Sequence, residues 1–228
     1  MDDPGVAARV AGVRARIESA ARAADRDPGE VVLVAATKTV PVDLIAAAVA
    51  AVVTDLGENR AQELLGKAPA IAEREPAARW HFLGALQRNK VRSLAPWVEC
   101  WQSVDRPEVG DTIARHAPGA RVLVEVNLAG EAQKAGCGPD DAAPLVDRLR
   151  AAGLAVDGLM TVPPHGDDPR RWFADLRELG GRLGLAELSM GMTDDFELAI
   201  AEGATIVRVG RALFGPRPGP DPVARRHD

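Results

Sequence analysis

Residues 31–45 read VVLVAATKTVPVDLI, and this stretch decides the fold. Its first part, Val31–Ala36, is apolar and rich in branched side chains, the pattern of a strand buried on both faces. Its second part sets Pro41 where a first helical turn accepts proline and continues into the alanine-rich run Pro41–Ala50, which predicts a helix. Strand, short loop and helix make one βα unit. At its junction stands Lys38, a charge at the end of an otherwise apolar run.

The same unit recurs toward the C-terminus. Further strands are expected at Ala51–Asp55, Trp80–Leu83, Val98–Val104, Arg121–Leu128, Ala155–Met160, Glu187–Met190 and Thr205–Val209. Helices are expected at Glu58–Arg74, Asn89–Leu94 and Pro107–His116, and in the later part of Pro139–Ala152, with Pro144 in its first turn. The stripe Trp172, Leu176, Leu179 and Leu183 marks another, and two more follow at Asp194–Ala201 and Arg211–Phe214. Toward the N-terminus, Val6, Val10, Val13 and Ile17 fall at helical spacing and predict an extra amphipathic helix over Pro4–Asp25. Alternating β and α elements imply a parallel sheet with right-handed crossovers. Eight units fit a closed (β/α)8 TIM barrel, an α/β fold, in one domain spanning residues 1–228. The competing α/β arrangement is a doubly wound open sheet, and the lack of a G-x-G-x-x-G turn after the first strand counts against it. The proline-rich end, from about residue 217 to residue 228, is expected to be disordered.

Composition excludes several classes. The net charge is −5 with no basic block, so nucleic acid is not an expected partner. No apolar run approaches the ~20 residues of a membrane span, and the opening MDDPGVAARV does not resemble a signal peptide. Cys100 and Cys137 lack metal-ligand spacing, which fits a reduced, cytoplasmic protein with no metal. A monomer is expected.

In a (β/α)8 barrel the site forms at the C-terminal strand ends. There the sequence delivers Lys38, then Glu58 and Asn59 in GENRAQE, His81, Ser103 with Asp105, Asn127, and Met160 with Thr161. LSMGMTDD adds Ser189, Met190, Gly191 and Thr193, and VRVGRALFG adds Arg208, Gly210 and Arg211. Plainer roles exist for most. Lys38 can reach along the rim to water, Asn59 can cap a helix, and His81 can be a core histidine bonded to backbone. Asp105 and Asn127 can satisfy loop backbone, Met190 and Met192 can pack, and Thr193 or Asp194 can cap a helix. Arg208 is harder to set aside, because an arginine between Val207 and Val209 on a strand needs an acceptor or anion. Phosphate sites in such barrels often follow strands seven and eight. A phosphate there and a lysine across the mouth suggest a phosphorylated carbonyl compound. Lys38 would be buried so that it is neutral enough to attack it. A phosphosugar aldolase or isomerase and a pyridoxal phosphate protein both satisfy this pattern.

The motifs VAATKTVP, GENRAQE, WHFLGALQRNKVR, SVDR, VEVNLAGEAQKAGC, GLMTVPP and LSMGMTDDFELAIAEGATIVRVGRALFG occur in this order between about residues 5 and 215. Together they resemble the pyridoxal phosphate homeostasis proteins. The resemblance implies the barrel of the fold-type III pyridoxal enzymes, the kind found in the alanine racemase N-terminal domain, standing alone. It implies pyridoxal 5'-phosphate as cofactor, Lys38 as the Schiff-base lysine and Arg208 as the residue facing the pyridine nitrogen. Ser189, Thr193 and the Gly210–Arg211 turn match the phosphate region. Asn59, Met190 and Gly191 lie in motifs that border the cofactor. The implied role is binding and delivering pyridoxal phosphate, with apo forms of pyridoxal enzymes as recipients and no established reaction. Two positions depart from the family pattern: Arg60 stands where an aromatic residue is frequent, and Arg211 where a small hydroxyl residue is frequent.

An amino-acid racemase is the alternative on the same barrel. Racemisation needs a proton-transfer group on each face of the substrate. The resembling racemases take one from a tyrosine on a partner's second domain. This sequence has no tyrosine and ends at residue 228, leaving no room for such a domain. His81 is the remaining candidate base, with Cys100 or Cys137 candidates only at the mouth.

Overall fold

The computed structural model describes residues 4–215. Among them, strands β1 (Val32–Ala36), β2 (Asp55–Glu58), β3 (Arg79–Phe82) and β4 (Val98–Val104) are followed by β5 (Arg121–Glu125), β6 (Ala155–Met160), β7 (Glu187–Ser189) and β8 (Ile206–Val209). The helices are α1 (Pro4–Ala23), α2 (Val42–Ala50), α3 (Ala61–Arg74), α4 (Arg88–Leu94) and α5 (Pro107–His116), then α6 (Ala142–Ala151), α7 (Arg170–Leu183), α8 (Phe196–Ala201) and α9 (Arg211–Phe214). All strand neighbours are parallel, and β1 pairs with β8 through Val32↔Ile206 and Val34↔Arg208. That pairing closes the barrel and rules out the open sheet.

Alternation along the strands makes two cores. Leu33, Ala35, Val122, Val124 and Val207 face outward into the layer under the helices. Val34, Cys100, Leu123, Met160 and Ile206 form a separate cluster inside the barrel. The expected N-terminal helix is present. Val6, Val10, Val13 and Ile17 are buried along one side of α1, which packs on α2, α8 and α9 outside the barrel.

The expected second strand over Ala51–Asp55 is displaced: β2 occupies Asp55–Glu58. The apolar residues 51–53 form the turn after α2, with Val53 N–H bonding Ala48 O and Val52 N–H bonding Val49 O. The next helix therefore begins at Ala61 and not at Glu58. Strand five ends at Glu125 and not at Leu128. Val126 keeps one bridge, to Cys137, and Asn127 turns its side chain onto the backbone of Glu131. The tail expected to be disordered lies outside the described residues.

Candidate functional site

A cleft of about 440 Å³ opens where β1, β7 and β8 end. Lys38, Thr193, Arg208, Gly210 and Arg211 line it together. Its apolar wall is Val40, Pro41, Leu44, Met192 and Phe214. A groove of about 540 Å³ on the outer flank, between α4 and α5, receives none of the strand-end residues predicted for the site.

The loop carrying Lys38 is held from three sides. The Thr37 hydroxyl donates to Glu58 Oε1 (2.9 Å), and Lys67 Nζ donates to Thr37 O (2.9 Å). The Thr39 N–H donates to Glu63 Oε2 at 2.7 Å, which holds Thr39 at a φ of +62°. Lys67 also pairs with Glu58 at 2.6 Å and Glu63 at 2.9 Å, so the buried Glu58 carboxylate has a cation beside it. Burial alone would raise the Glu63 carboxyl, but the Thr39 N–H and Lys67 outweigh it and hold it below the usual range. Lys38 itself is half-buried, not buried as the sequence led us to expect, because its loop forms part of the cleft wall.

Arg208 is 6% exposed. Its Nη1 donates to Ser189 Oγ (2.6 Å) and its Nη2 to Thr161 O (2.9 Å). No carboxylate among the described residues pairs with it. Burial lowers its pKa to about 10, against the pull of Glu125 and Asp195, and it stays a cation at neutral pH. Glu125, at the end of β5, is pushed up to about 7 by burial and by Asp105, partly countered by Arg208. Burial likewise raises Asp195, which accepts the Met192 N–H at 2.6 Å.

The remaining predicted residues divide. Ser189 does not line the cleft; its hydroxyl is committed to Gln102 Oε1 (2.6 Å) and Arg208. Met190 is fully buried in the outer core, as its packing reading has it. Gly191, at φ +89°, has room for no side chain, since a Cβ would stand 2.5 Å from that of Ala199. It lets the chain turn from β7 to bring Met192 and Thr193 to the cleft. Thr193 Oγ1 lies 3.4 Å from the Ala212 N–H, and Arg211 is ion-paired with Asp194. Asn59 is exposed and lines a separate groove with Arg60, Gln87 and Lys90. His81 is a core histidine, but it bonds side chains and not backbone: Asp55 (3.0 Å) and Gln102 (2.7 Å). Sequence reasoning missed Gln102, Glu125 and Lys67. Glu125 carried the signal that marked Arg208, a charge flanked by valines on a strand.

The donor set suits a phosphorylated aldehyde. An amine, a buried guanidinium without a carboxylate partner, and a hydroxyl beside a glycine turn share one cleft of ligand size.

The chain matches the alanine racemase N-terminal domain family over residues 10–218. It is 43% identical to the pyridoxal phosphate homeostasis protein of Pseudomonas aeruginosa, across 93% of this chain and 96% of that one. The protein of the same name from Deinococcus radiodurans is also 43% identical, with 92% and 99% covered. Among solved structures, PipY of Synechococcus elongatus with PLP bound superposes at a TM-score of 0.80, with 33% identity and 92% and 100% coverage. A Corynebacterium glutamicum alanine racemase shares the fold at a TM-score of 0.65 and 14% identity, with 92% of this chain and 62% of the racemase covered. The matches run almost end to end through relatives of similar length and carry the TIM barrel with them, so the chain belongs to the pyridoxal phosphate homeostasis proteins of the alanine racemase N-terminal domain family.

Proposed function

We propose that this protein holds pyridoxal 5'-phosphate in the cleft at Lys38 and serves to keep the cofactor pool in balance, without catalytic turnover of its own. The observation that carries the reading is Lys38 and Arg208 lining one cleft with the Thr193 and Gly210–Arg211 corner. The names of the Pseudomonas and Deinococcus relatives and the PLP bound to PipY support it.

When bound, pyridoxal phosphate supplies an aldehyde open to attack by an amine and a ring that withdraws electrons. Lys38 would attach it. Thr193 and the backbone of the Gly210–Arg211 turn would hold the phosphate, with Arg211, ion-paired to Asp194, beside it. Arg208 is the residue that would face the ring nitrogen; as a cation that only donates, it would leave that nitrogen unprotonated and the ring a weaker electron sink. Val40, Leu44 and Phe214 exclude water from one side. Asn59 lines its own groove and Met190 is buried in the outer core, so neither side chain lines the cleft at Lys38.

A racemase role gains no support. His81 has both ring nitrogens engaged inside the barrel and cannot act as a base at the mouth. Burial pushes the Cys100 and Cys137 thiols up to about 12, so neither is a proton-transfer group near neutral pH. We read the protein as a cytoplasmic monomer with apo-pyridoxal enzymes as recipients; among the described residues no helix is long and apolar enough to cross a membrane.

Titrating the purified apoprotein with pyridoxal phosphate tests this. A visible absorption band should grow to one equivalent in the wild type and be absent in Lys38→Ala, with far-UV circular dichroism unchanged. A normal band in Lys38→Ala would refute the assignment.

A further inference from the structure

A hydrogen-bonded string crosses the barrel interior from its N-terminal face to Arg208. Arg79, more than half exposed at the start of β3, donates to Asp55 from Nε (3.0 Å) and Nη2 (2.8 Å). Asp55 Oδ1 lies 3.0 Å from His81 Nε2, and His81 Nδ1 lies 2.7 Å from Gln102 Nε2. Gln102 Oε1 accepts from Ser189 Oγ at 2.6 Å, and Ser189 accepts from Arg208 Nη1 at 2.6 Å. From Asp55 to Arg208 every member is 8% exposed or less, and Gln102 and Ser189 are fully buried.

The direction of the string follows from the chemistry of its ends. Burial would raise the Asp55 carboxyl, but the bonds from His81 and Arg79 hold it well below the usual range, so it only accepts. His81 must then carry its hydrogen on Nε2, and Nδ1 accepts. Gln102 must turn its NH₂ to His81 and its oxygen to Ser189. Ser189 must donate to Gln102, leaving its lone pairs for Arg208, which only donates. Reversing the amide would set acceptor against acceptor at His81 and leave the Ser189 hydroxyl proton without its acceptor. Such an unmet buried group is costly.

We propose that Asp55, His81, Gln102 and Ser189 are positioning residues that aim Arg208 at the cofactor ring, with the Gln102 amide as the element that transmits the direction. The inference rests on the reading of Arg208 as the residue facing the ring nitrogen. Glu125 and Asp195 act on Arg208 only through space, so its orientation comes from Ser189 and the Thr161 carbonyl.

The experiment compares Gln102→Leu, Gln102→Glu and Ser189→Ala in three readouts: pyridoxal phosphate affinity, the pH profile of the visible band, and melting temperature. Leu breaks the string. Glu keeps an acceptor for Ser189. Ala removes the group that touches Arg208 with little change in volume, and so keeps the test alive if Gln102→Leu does not fold. Gln102→Leu and Ser189→Ala should still be modified at Lys38. Both should bind about tenfold more weakly and shift the band's pH midpoint by about one unit. Gln102→Glu keeps that acceptor but lacks the NH₂ that faces His81, so it should not restore the wild-type midpoint. In the apoprotein, ¹⁵N NMR should show His81 with its hydrogen on Nε2. Wild-type affinity and pH profile in folded Ser189→Ala, or a His81 hydrogen on Nδ1, would overturn the proposal. A wild type that forms no band at all would instead overturn the reading of the site.

Discussion

Val52 and Glu125 show how far a residue's identity can work against its place. Val52 sits at φ +72° just past the end of α2, where its N–H and that of Val53 close the helix. A branched side chain is poorly suited to that left-handed conformation, and glycine is the usual occupant. Val52 is 68% exposed, so its side chain contributes little packing. Val52→Gly should therefore stabilise the protein by roughly 0.5–1 kcal/mol, a rise of ~2–4 °C in melting temperature by calorimetry. Glu125 is a pH-dependent liability. Its folded pKa is raised to about 7 from the 4.5 of a free side chain, so between those values the folded state holds the proton more tightly than the unfolded one. Its contribution to stability is complete below pH 4.5 and is lost as pH rises through 7. Glu125→Gln should flatten that fall and raise stability at pH 8 by ~1–3 kcal/mol, measured by urea unfolding at pH 5 and pH 8.

At the scale of elements, the first βα unit shows what the sequence conveys and what it conceals. β1, β4, β6, α5 and α9 lie at or within a residue of their expected bounds, because the apolar runs of the strands and the N-terminal proline of α5 act locally. β2 does not. Its inward side chains find polar partners far along the chain, Asp55 with Arg79 and His81, and Glu58 caps the layer with Lys67. No periodicity could announce those pairings, and the alanine–valine run before them carried the stronger strand signal. The same long-range pairing hid Lys67 and Gln102 from the site. Arg208 was legible because it is a lone charge on an apolar strand. Lys67 is the pin of the β1–α2 loop. Lys67→Met should leave Glu58 as an unpaired buried charge and cost ~3–5 kcal/mol by chemical denaturation. It should also weaken pyridoxal phosphate binding, since Thr37 and Glu63 lose the cation that ties them. Adding Glu58→Gln should recover much of the stability but not the full affinity. A double variant as unstable as the single one would mean that the loop is held by packing.

Over the whole molecule, the closing of β8 onto β1 brings the two ends of the sequence together. Lys38 comes from the first unit, Thr193 from the seventh and Arg208 from the eighth, and only the β1–β8 seam makes them neighbours. The seam is tight at Gly210, where a Cβ would stand 3.1 Å from Ala36 O. α1 lies across α8, α9 and α2 on the outside of this seam, with Arg9 bonded to Leu213 O and Arg16 to Glu197. The extra helix thus buttresses the side of the barrel that carries the site. At this seam Lys38 is the amine that lines the cleft and would meet pyridoxal phosphate. The direct test is to load the protein, reduce it with borohydride, digest it and locate the pyridoxyl group by mass spectrometry. A single stoichiometric adduct should form on Lys38, with the visible band lost on reduction. A principal adduct on Lys90 or Lys134, or none after saturating cofactor, would contradict it.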